Sequence, residues 1–122
     1  ELLARWCLPA RVTIVGDVDA VAPTVLETAH AVLAESLANA AKHSGTTDVS
    51  VQVDAGETWM RITVEDRGRG IRDAVDGDPH FGLSMMRVRA EDIEGTLEIG
   101  STPGGGTRVV ALLPVGGRGE ER

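Results

Sequence analysis

The stretch from Glu35 to His43 holds side chains that could contact a metal ion and phosphate groups. Glu35, Asn39 and His43 recur at every fourth residue, and Lys42 directly precedes His43. At about 100° per residue, an α-helix would place these side chains within a sector of roughly 100°. Carboxylate and amide oxygens suit Mg²⁺, whereas lysine and histidine suit phosphate oxygens. On spacing alone, however, a solvated helix face is the more frequent explanation of such a pattern.

A second candidate is the glycine-rich segment Asp66-Arg67-Gly68-Arg69-Gly70, which follows a β-branched run. An aspartate at a strand end can accept a hydrogen bond from a ligand amine, and Gly68 and Gly70 would let the backbone approach a flat ring. An ordinary turn built on the aspartate side chain fits the same residues. The P-loop pattern is absent, and the third glycine and later acidic residue of the dinucleotide fingerprint are missing.

Three further segments are weaker candidates. Gly82-Leu83 opens a helical pattern, and the N-terminus of a helix offers free N–H groups to phosphate. The run Gly104 to Thr107 predicts a tight hairpin turn. Arg87 and Arg89 could reach a phosphate, but solvated surface positions are the better prediction for both.

Strands and helices must position these segments. Helices are predicted over residues 23–43 and 82–94, the second stopped by Gly95. Strands are predicted over residues 11–16, 49–53, 59–65, 96–100 and 108–114, with a hairpin joining the second and third. Residues 66–81 are charged, glycine-rich and aperiodic, which indicates a binding or lid loop. This order without regular βαβ alternation predicts an α+β two-layer sandwich.

The first helix is predicted to pack on the sheet through one apolar stripe. Its members recur at three- and four-residue steps, nearly opposite the polar sector: Leu26, Ala29, Leu33, Leu37 and Ala40. We divide the chain into a linker remnant at residues 1–10, the folded domain at 11–114 and a flexible tail at 115–122.

Composition excludes some classes of function. The 122 residues suffice for one domain with its own core. The net charge of −7 argues against nucleic acid as a partner, because phosphate backbones require a basic face. A single cysteine, Cys7, forms no internal disulfide and favours a reducing, cytoplasmic compartment. No apolar run approaches the roughly 20 residues that cross a bilayer, so any membrane anchor of the protein would lie outside this sequence.

Taken in this order, the motifs resemble those of the GHKL ATPase superfamily, which comprises gyrase, heat-shock chaperones, histidine kinases and MutL. The matching elements are the N box at Glu35 to His43, the D-x-G-x-G box at Asp66 to Gly70, the lid up to Phe81, Gly82-Leu83, and the G-G-T turn ending at Thr107. The resemblance covers about residues 29–114. It implies a Bergerat-type fold, in which helices pack on one face of a mixed sheet.

Within the superfamily, the ending Asn39-Ala40-Ala41-Lys42-His43 looks like a histidine kinase. The segment from Phe81 to Glu91 is similar to the G-L-x-x-M-R-x-R stretch of the DesK-like and nitrate-sensor-like subfamily, where a short lid is usual. One departure is Phe81 itself, because histidine or glycine commonly precedes that Gly-Leu pair. The departure puts the packing of the lid in question.

The resemblance implies ATP and Mg²⁺ as cofactors and gives each matched residue a role. Asn39 would ligate Mg²⁺, and Glu35 would support the metal or its waters, or assist proton transfer. Lys42 and His43 would contact phosphates. Asp66 would accept the adenine amino group. Gly68 and Gly70 would shape the pocket, and Gly82 and Leu83 would lie beside the phosphates and the mobile lid. Thr107 would bond to adenine or to a water near Asp66.

The implied activity is transfer of the γ-phosphoryl group to a histidine on a dimerisation domain, with a response regulator downstream. None of His30, His43 and His80 has the sequence surroundings of such an acceptor. We therefore expect a monomeric catalytic fragment that binds ATP–Mg²⁺ without phosphorylating itself. Two alternatives remain: a serine kinase of the anti-sigma-factor type on the same fold, and a non-enzymatic regulatory module that binds nucleotide.

Overall fold

A computed structural model describes residues 10–40, 49–66, 81–102 and 106–116. Five strands and two helices follow one another there: β1 (Ala10–Gly16), α1 (Pro23–Asn39), β2 (Val49–Ala55), β3 (Trp59–Asp66), α2 (Phe81–Asp92), β4 (Thr96–Ser101) and β5 (Thr107–Pro114). A short 3-10 turn, Val18–Ala20, precedes α1. Each predicted helix and strand is confirmed, with ends that agree within two residues, except that the predicted end of the first helix at His43 lies outside the described residues. Neither helix of the described part is long and apolar enough to span a membrane.

The strands form one mixed sheet in the order β1-β2-β3-β5-β4. β1 is parallel to β2, and the other three pairings are antiparallel. The predicted hairpin between β2 and β3 is confirmed, and the Gly56 N–H closes it by donating to the Trp59 carbonyl at 2.9 Å. The mixed sheet and the α+β class therefore agree with the expectation from the sequence.

The core lies between the sheet and the helices. Alternate residues of the central strands point into it: Val49, Val51, Val53, Met60, Ile62, Val64, Val109, Ala111 and Leu113. α1 packs over β3 and β5, and α2 packs over β4, β5 and α1. Because side chains alternate across a strand, the polar residues between these positions lie on the opposite face of the sheet.

The buried face of α1 differs from the predicted stripe. Leu26 is 37% exposed, whereas Val25 and Val32 are completely buried. Leu37 and Ala29 are buried as predicted. The difference arises because α1 contacts α2 as well as the sheet, and this packing sets which side of the helix turns inward. A stripe read from one helix alone contains no information about that second contact.

The end of α2 is also built differently from the prediction. The helix ends at Asp92, and Glu94, not Gly95, has a left-handed backbone with φ of 67°. The Gly95 N–H donates to the Ala90 carbonyl at 2.7 Å, which closes the helix end. Gly95 has a separate requirement, because a Cβ there would overlap the Leu112 carbonyl oxygen.

The direction of α1 brings the candidate residues to one edge of the sheet. The Ala22 N–H donates to the Val115 carbonyl at 3.0 Å, so α1 begins beside the end of β5. A 17-residue helix is roughly 25 Å long, about the length of the 8-residue strand β5. Since α1 packs along β3 and β5, Asn39 lies towards the edge where β3 ends and β5 begins.

Candidate functional site

Asn39 and Glu35 form a connected pair on the last turns of α1. The side-chain nitrogen of Asn39 donates to the Glu35 carbonyl at 2.9 Å and to Glu35 Oε2 at 3.1 Å. A carboxylate can only accept, so the amide must present its nitrogen to Glu35. Its oxygen, Oδ1, is thereby left for another partner. Both residues are half-buried, which distinguishes this face from the fully solvated one that spacing alone suggested.

Gly82 brings the first turn of α2 against this pair. A Cβ at Gly82 would overlap the Glu35 carboxylate, and Glu35 Oε1 lies 2.9 Å from that position. The neighbouring Leu83 is completely buried and fixes the helix start in the core. The N-terminus of a helix carries partial positive charge, so a carboxylate beside it is favourable. Glu35 therefore connects the Asn39 amide with the start of α2.

Asp66 and Thr107 form a second pair, on neighbouring strands. Asp66 is the last residue of β3 and is only 8% exposed. The Thr107 backbone N–H donates to Asp66 Oδ1 at 3.3 Å. The pairing of β3 with β5 supplies this contact, because Glu65 is already in register with Arg108. A buried carboxylate held in this way can accept a hydrogen bond from a ligand amine.

Thr102 was not singled out by the sequence, yet it supports the start of β5. Its hydroxyl accepts from the Gly106 N–H at 2.9 Å, and its own N–H donates to the Gly106 carbonyl at 3.0 Å. These bonds close the predicted connection between β4 and β5. A threonine at the first position of a glycine-rich turn was the available signal, since such hydroxyls commonly bond to the turn backbone.

The prediction of a solvated surface position for Arg87 is wrong. Arg87 is half-buried, and its Nε donates to the Leu97 carbonyl at 2.9 Å. This bond ties α2 to β4, and the packing of those two elements explains it. Arg89 is exposed, as expected. Four candidate residues, Lys42, His43, Gly68 and Gly70, lie outside the described residues.

The arrangement offers two kinds of ligand contact along one edge of the sheet. One is a buried carboxylate acceptor at Asp66, held by a main-chain amide. The other is the oriented amide oxygen of Asn39, a hard donor suited to Mg²⁺, beside the start of α2 at Gly82. Helix N-termini bind phosphate through their free N–H groups. Together these groups fit a ligand with an amine at one end and metal-bound phosphates at the other.

Comparison with known proteins gives a family match over most of the chain. Residues 24–117 match the family described as histidine kinase-, DNA gyrase B-, and HSP90-like ATPase. The nitrate/nitrite sensor protein NarX of Escherichia coli K12 is 34% identical over 79 residues, covering 65% of this chain and 13% of NarX. The sensor protein VraS of Staphylococcus epidermidis is 32% identical over 81 residues, covering 66% of this chain and 23% of VraS. The chain thus spans less than a quarter of these relatives.

A solved structure has the same fold. It is the histidine kinase domain of a blue-light activated histidine kinase from Erythrobacter litoralis EL346, with a TM-score of 0.64 and 22% sequence identity. The match covers 93% of this chain and 59% of the other. At this identity the likeness establishes the α+β fold alone.

Proposed function

Because the chain belongs to the family of histidine kinase-, DNA gyrase B- and HSP90-like ATPases, we propose that it is the catalytic ATP-binding domain of a sensor histidine kinase. The observation that carries the proposal is the joining of Glu35, Asn39 and Gly82 across α1 and α2. An amide oxygen suited to binding Mg²⁺ thereby lies beside a helix N-terminus suited to binding phosphate. The sensor proteins NarX and VraS among the relatives support the same class.

Asp66 is the base-recognising residue in this proposal. Its carboxylate accepts the amino group of adenine, and the Thr107 N–H holds that carboxylate in place. Gly68 and Gly70 shape the pocket, as the sequence motif implies. The Thr107 side chain contacts adenine or an intervening water. The low exposure of Asp66 supports this role, because hydrogen bonds to a charged group strengthen away from solvent.

Asn39 is the metal ligand of the proposal. Mg²⁺ held there would neutralise phosphate charge, which is a main electrostatic contribution to phosphoryl transfer. Asn39 offers Oδ1 to that ion, and Glu35 keeps the amide from rotating. Lys42 and His43 contact phosphate oxygens, and Gly82 and Leu83 form the start of α2 beside them. Glu35 is accordingly a positioning residue that acts through Asn39.

The acceptor is a histidine on a dimerisation domain of the same protein, and a response regulator takes the phosphoryl group afterwards. This chain supplies the ATP site over residues 11–114 and holds the nucleotide for in-line attack. Positioning and charge neutralisation carry nearly all of such catalysis. The isolated domain is a monomer and leaves its own histidines unphosphorylated.

The test combines nucleotide binding with phosphoryl transfer. Titration with a fluorescent ATP analogue and Mg²⁺ should give saturable binding, and Asn39→Ala should weaken it by about tenfold, the loss of one good polar contact. Gln52→Ala, on the exposed face of β2, serves as the control. γ-labelled ATP should label a supplied dimerisation domain and leave the isolated chain unlabelled. Binding that Asn39→Ala leaves unchanged, or stable labelling of the isolated chain, would contradict the proposal.

A further inference from the structure

The edge strand β1 has apolar side chains on the helix side of the sheet that the described helices leave uncovered. Val12 is paired with Val51, and Ile14 with Val53, so each pair points to the same face. Val51 and Val53 are each 5% exposed, whereas Val12 is 46% and Ile14 58% exposed. The apolar face of the sheet therefore extends from β2, where it is buried, onto β1, where it is exposed.

The dimensions of the two layers account for this uncovered strip. Strands lie about 4.8 Å apart, and a helix with its side chains is about 10 Å wide. Two helices side by side therefore cover at most about four strands, and this sheet has five. α1 lies over β3 and β5, and α2 lies over β4 and β5. These contacts leave β1 and β2 at the opposite end of the sheet, and of these two strands β1 is the one whose apolar residues on the helix side, Val12 and Ile14, stay exposed.

β1 also lacks the features that usually protect an edge strand. It pairs with β2 at seven consecutive positions, Ala10 to Gly16, with no bulge. Arg11 is its sole charged residue, and it contains no proline. Exposed, regular, apolar edge strands are sites where another segment packs or pairs. The strip formed by Val12 and Ile14 therefore calls for a covering element.

We propose that the strip formed by Val12 and Ile14 is a docking surface for residues 1–9 of this chain. Leu2, Leu3 and Trp6 are spaced so that a helix would carry them on one side. Two helical turns span about 11 Å, whereas residues two apart on a strand are separated by about 6.6 Å. A short amphipathic helix is therefore long enough to cover both side chains.

The covalent connection favours this occupant over a second molecule. Residues 1–9 lead directly into β1 at Ala10, and a short tether gives an effective concentration in the millimolar range. Pro9 is expected to separate such a helix from the strand, because proline disfavours helical backbone at the preceding residue. The chain can therefore reverse at this point and return over β1.

Tryptophan fluorescence provides a direct test, because the chain has only two tryptophans, Trp6 and Trp59. In a Trp59→Phe background, Trp6 is the single reporter. Docking predicts blue-shifted emission and weak quenching by acrylamide. Adding Ile14→Asp should shift the emission to longer wavelength and raise the quenching constant about threefold or more. Val15→Asp is the matched control, since Val15 is 53% exposed on the same strand but points to the opposite face.

A second variant controls for the possibility that Ile14→Asp acts by distorting β1 itself. Leu3→Asp leaves the strand untouched and should expose Trp6 to the same extent, with nucleotide binding unchanged. The proposal is overturned if Trp6 is quenched like free tryptophan in the parent and neither substitution alters it. It is also overturned if protection of Trp6 disappears on dilution together with a dimer in sedimentation, because a second copy would then be the cover.

Discussion

The Glu35 carboxylate lies against the backbone of Gly82, 47 residues further along the chain, with no space between them for a side chain. This contact joins the end of α1 to the beginning of α2. The same carboxylate accepts a hydrogen bond from Asn39. A change at Gly82 therefore reaches the proposed metal ligand through one intermediate side chain.

We expect Gly82→Ala to weaken ATP–Mg²⁺ binding by about tenfold. The new methyl group would displace Glu35 or the first turn of α2, and such overpacking costs about 1–3 kcal/mol. Gly100→Ala is a suitable control, because nothing lies within 4 Å of a Cβ at that position. Isothermal titration of both variants measures the effect. Equal ATP–Mg²⁺ affinities of the two variants would mean that Glu35 and residue 82 can move apart without loss of binding.

Substitutions of Glu35 distinguish positioning from proton transfer. Glu35→Gln keeps an oxygen that can accept from the Asn39 amide, so we expect ATP–Mg²⁺ affinity within about threefold of the parent. Glu35→Ala removes the acceptor and should cost about tenfold, as expected for one lost hydrogen bond to a charged group. The two affinities are measured by titration, alongside the rate of transfer to a supplied dimerisation domain. Normal binding by Glu35→Gln with abolished transfer would instead assign proton transfer to Glu35.

Asp66→Asn should lower ATP affinity by about ten- to a hundredfold. The substitution replaces a charged acceptor by a neutral amide, and hydrogen bonds to charged groups contribute about 1.5–3 kcal/mol. Asp54→Asn is the matched control. Asp54 lies on the outer face of β2, where its carboxylate accepts hydrogen bonds from the Gln52 side chain. Competition with ATP and with a purine nucleotide lacking the 6-amino group separates base recognition from phosphate binding. If both nucleotides lose affinity equally, Asp66 does not read the amine.

The left-handed backbone at Glu94 offers a prediction about stability. Glycine adopts φ near 67° without the steric cost that other residues bear. We expect Glu94→Gly to raise the free energy of unfolding by about 0.5–1 kcal/mol. Glu91→Gly, inside α2, should lower it by about 1 kcal/mol through loss of helix propensity. Chemical denaturation compares the two, and a lower stability for Glu94→Gly would indicate that its side chain makes a compensating contact.

Short-range patterns predicted the elements of the fold. The alternation of Val49, Val51 and Val53 identified a half-buried strand, and the step of four between Glu35 and Asn39 identified neighbours that do share a hydrogen bond. Such patterns suffice because period and propensity are properties of adjacent residues.

Contacts between distant segments were not accessible in the same way. The Glu35–Gly82 approach depends on how α1 and α2 pack, and the Arg87 bond to Leu97 depends on how α2 lies against β4. The exposure of Leu26 has the same origin, since α2 contributes to the burial of α1. Spacing within one helix specifies which residues are neighbours on its surface, but not which neighbour helix that surface meets.

The bond from Thr107 to Asp66 uses the main-chain N–H of residue 107 rather than its side chain. Every amino acid except proline supplies that donor. Drift of the residue type at this position is therefore expected to leave the orientation of the Asp66 carboxylate intact. In terms of mutational robustness, the donor of this hydrogen bond is insensitive to substitution at residue 107, because it belongs to the backbone of the sheet. Selection on this contact therefore acts on Asp66.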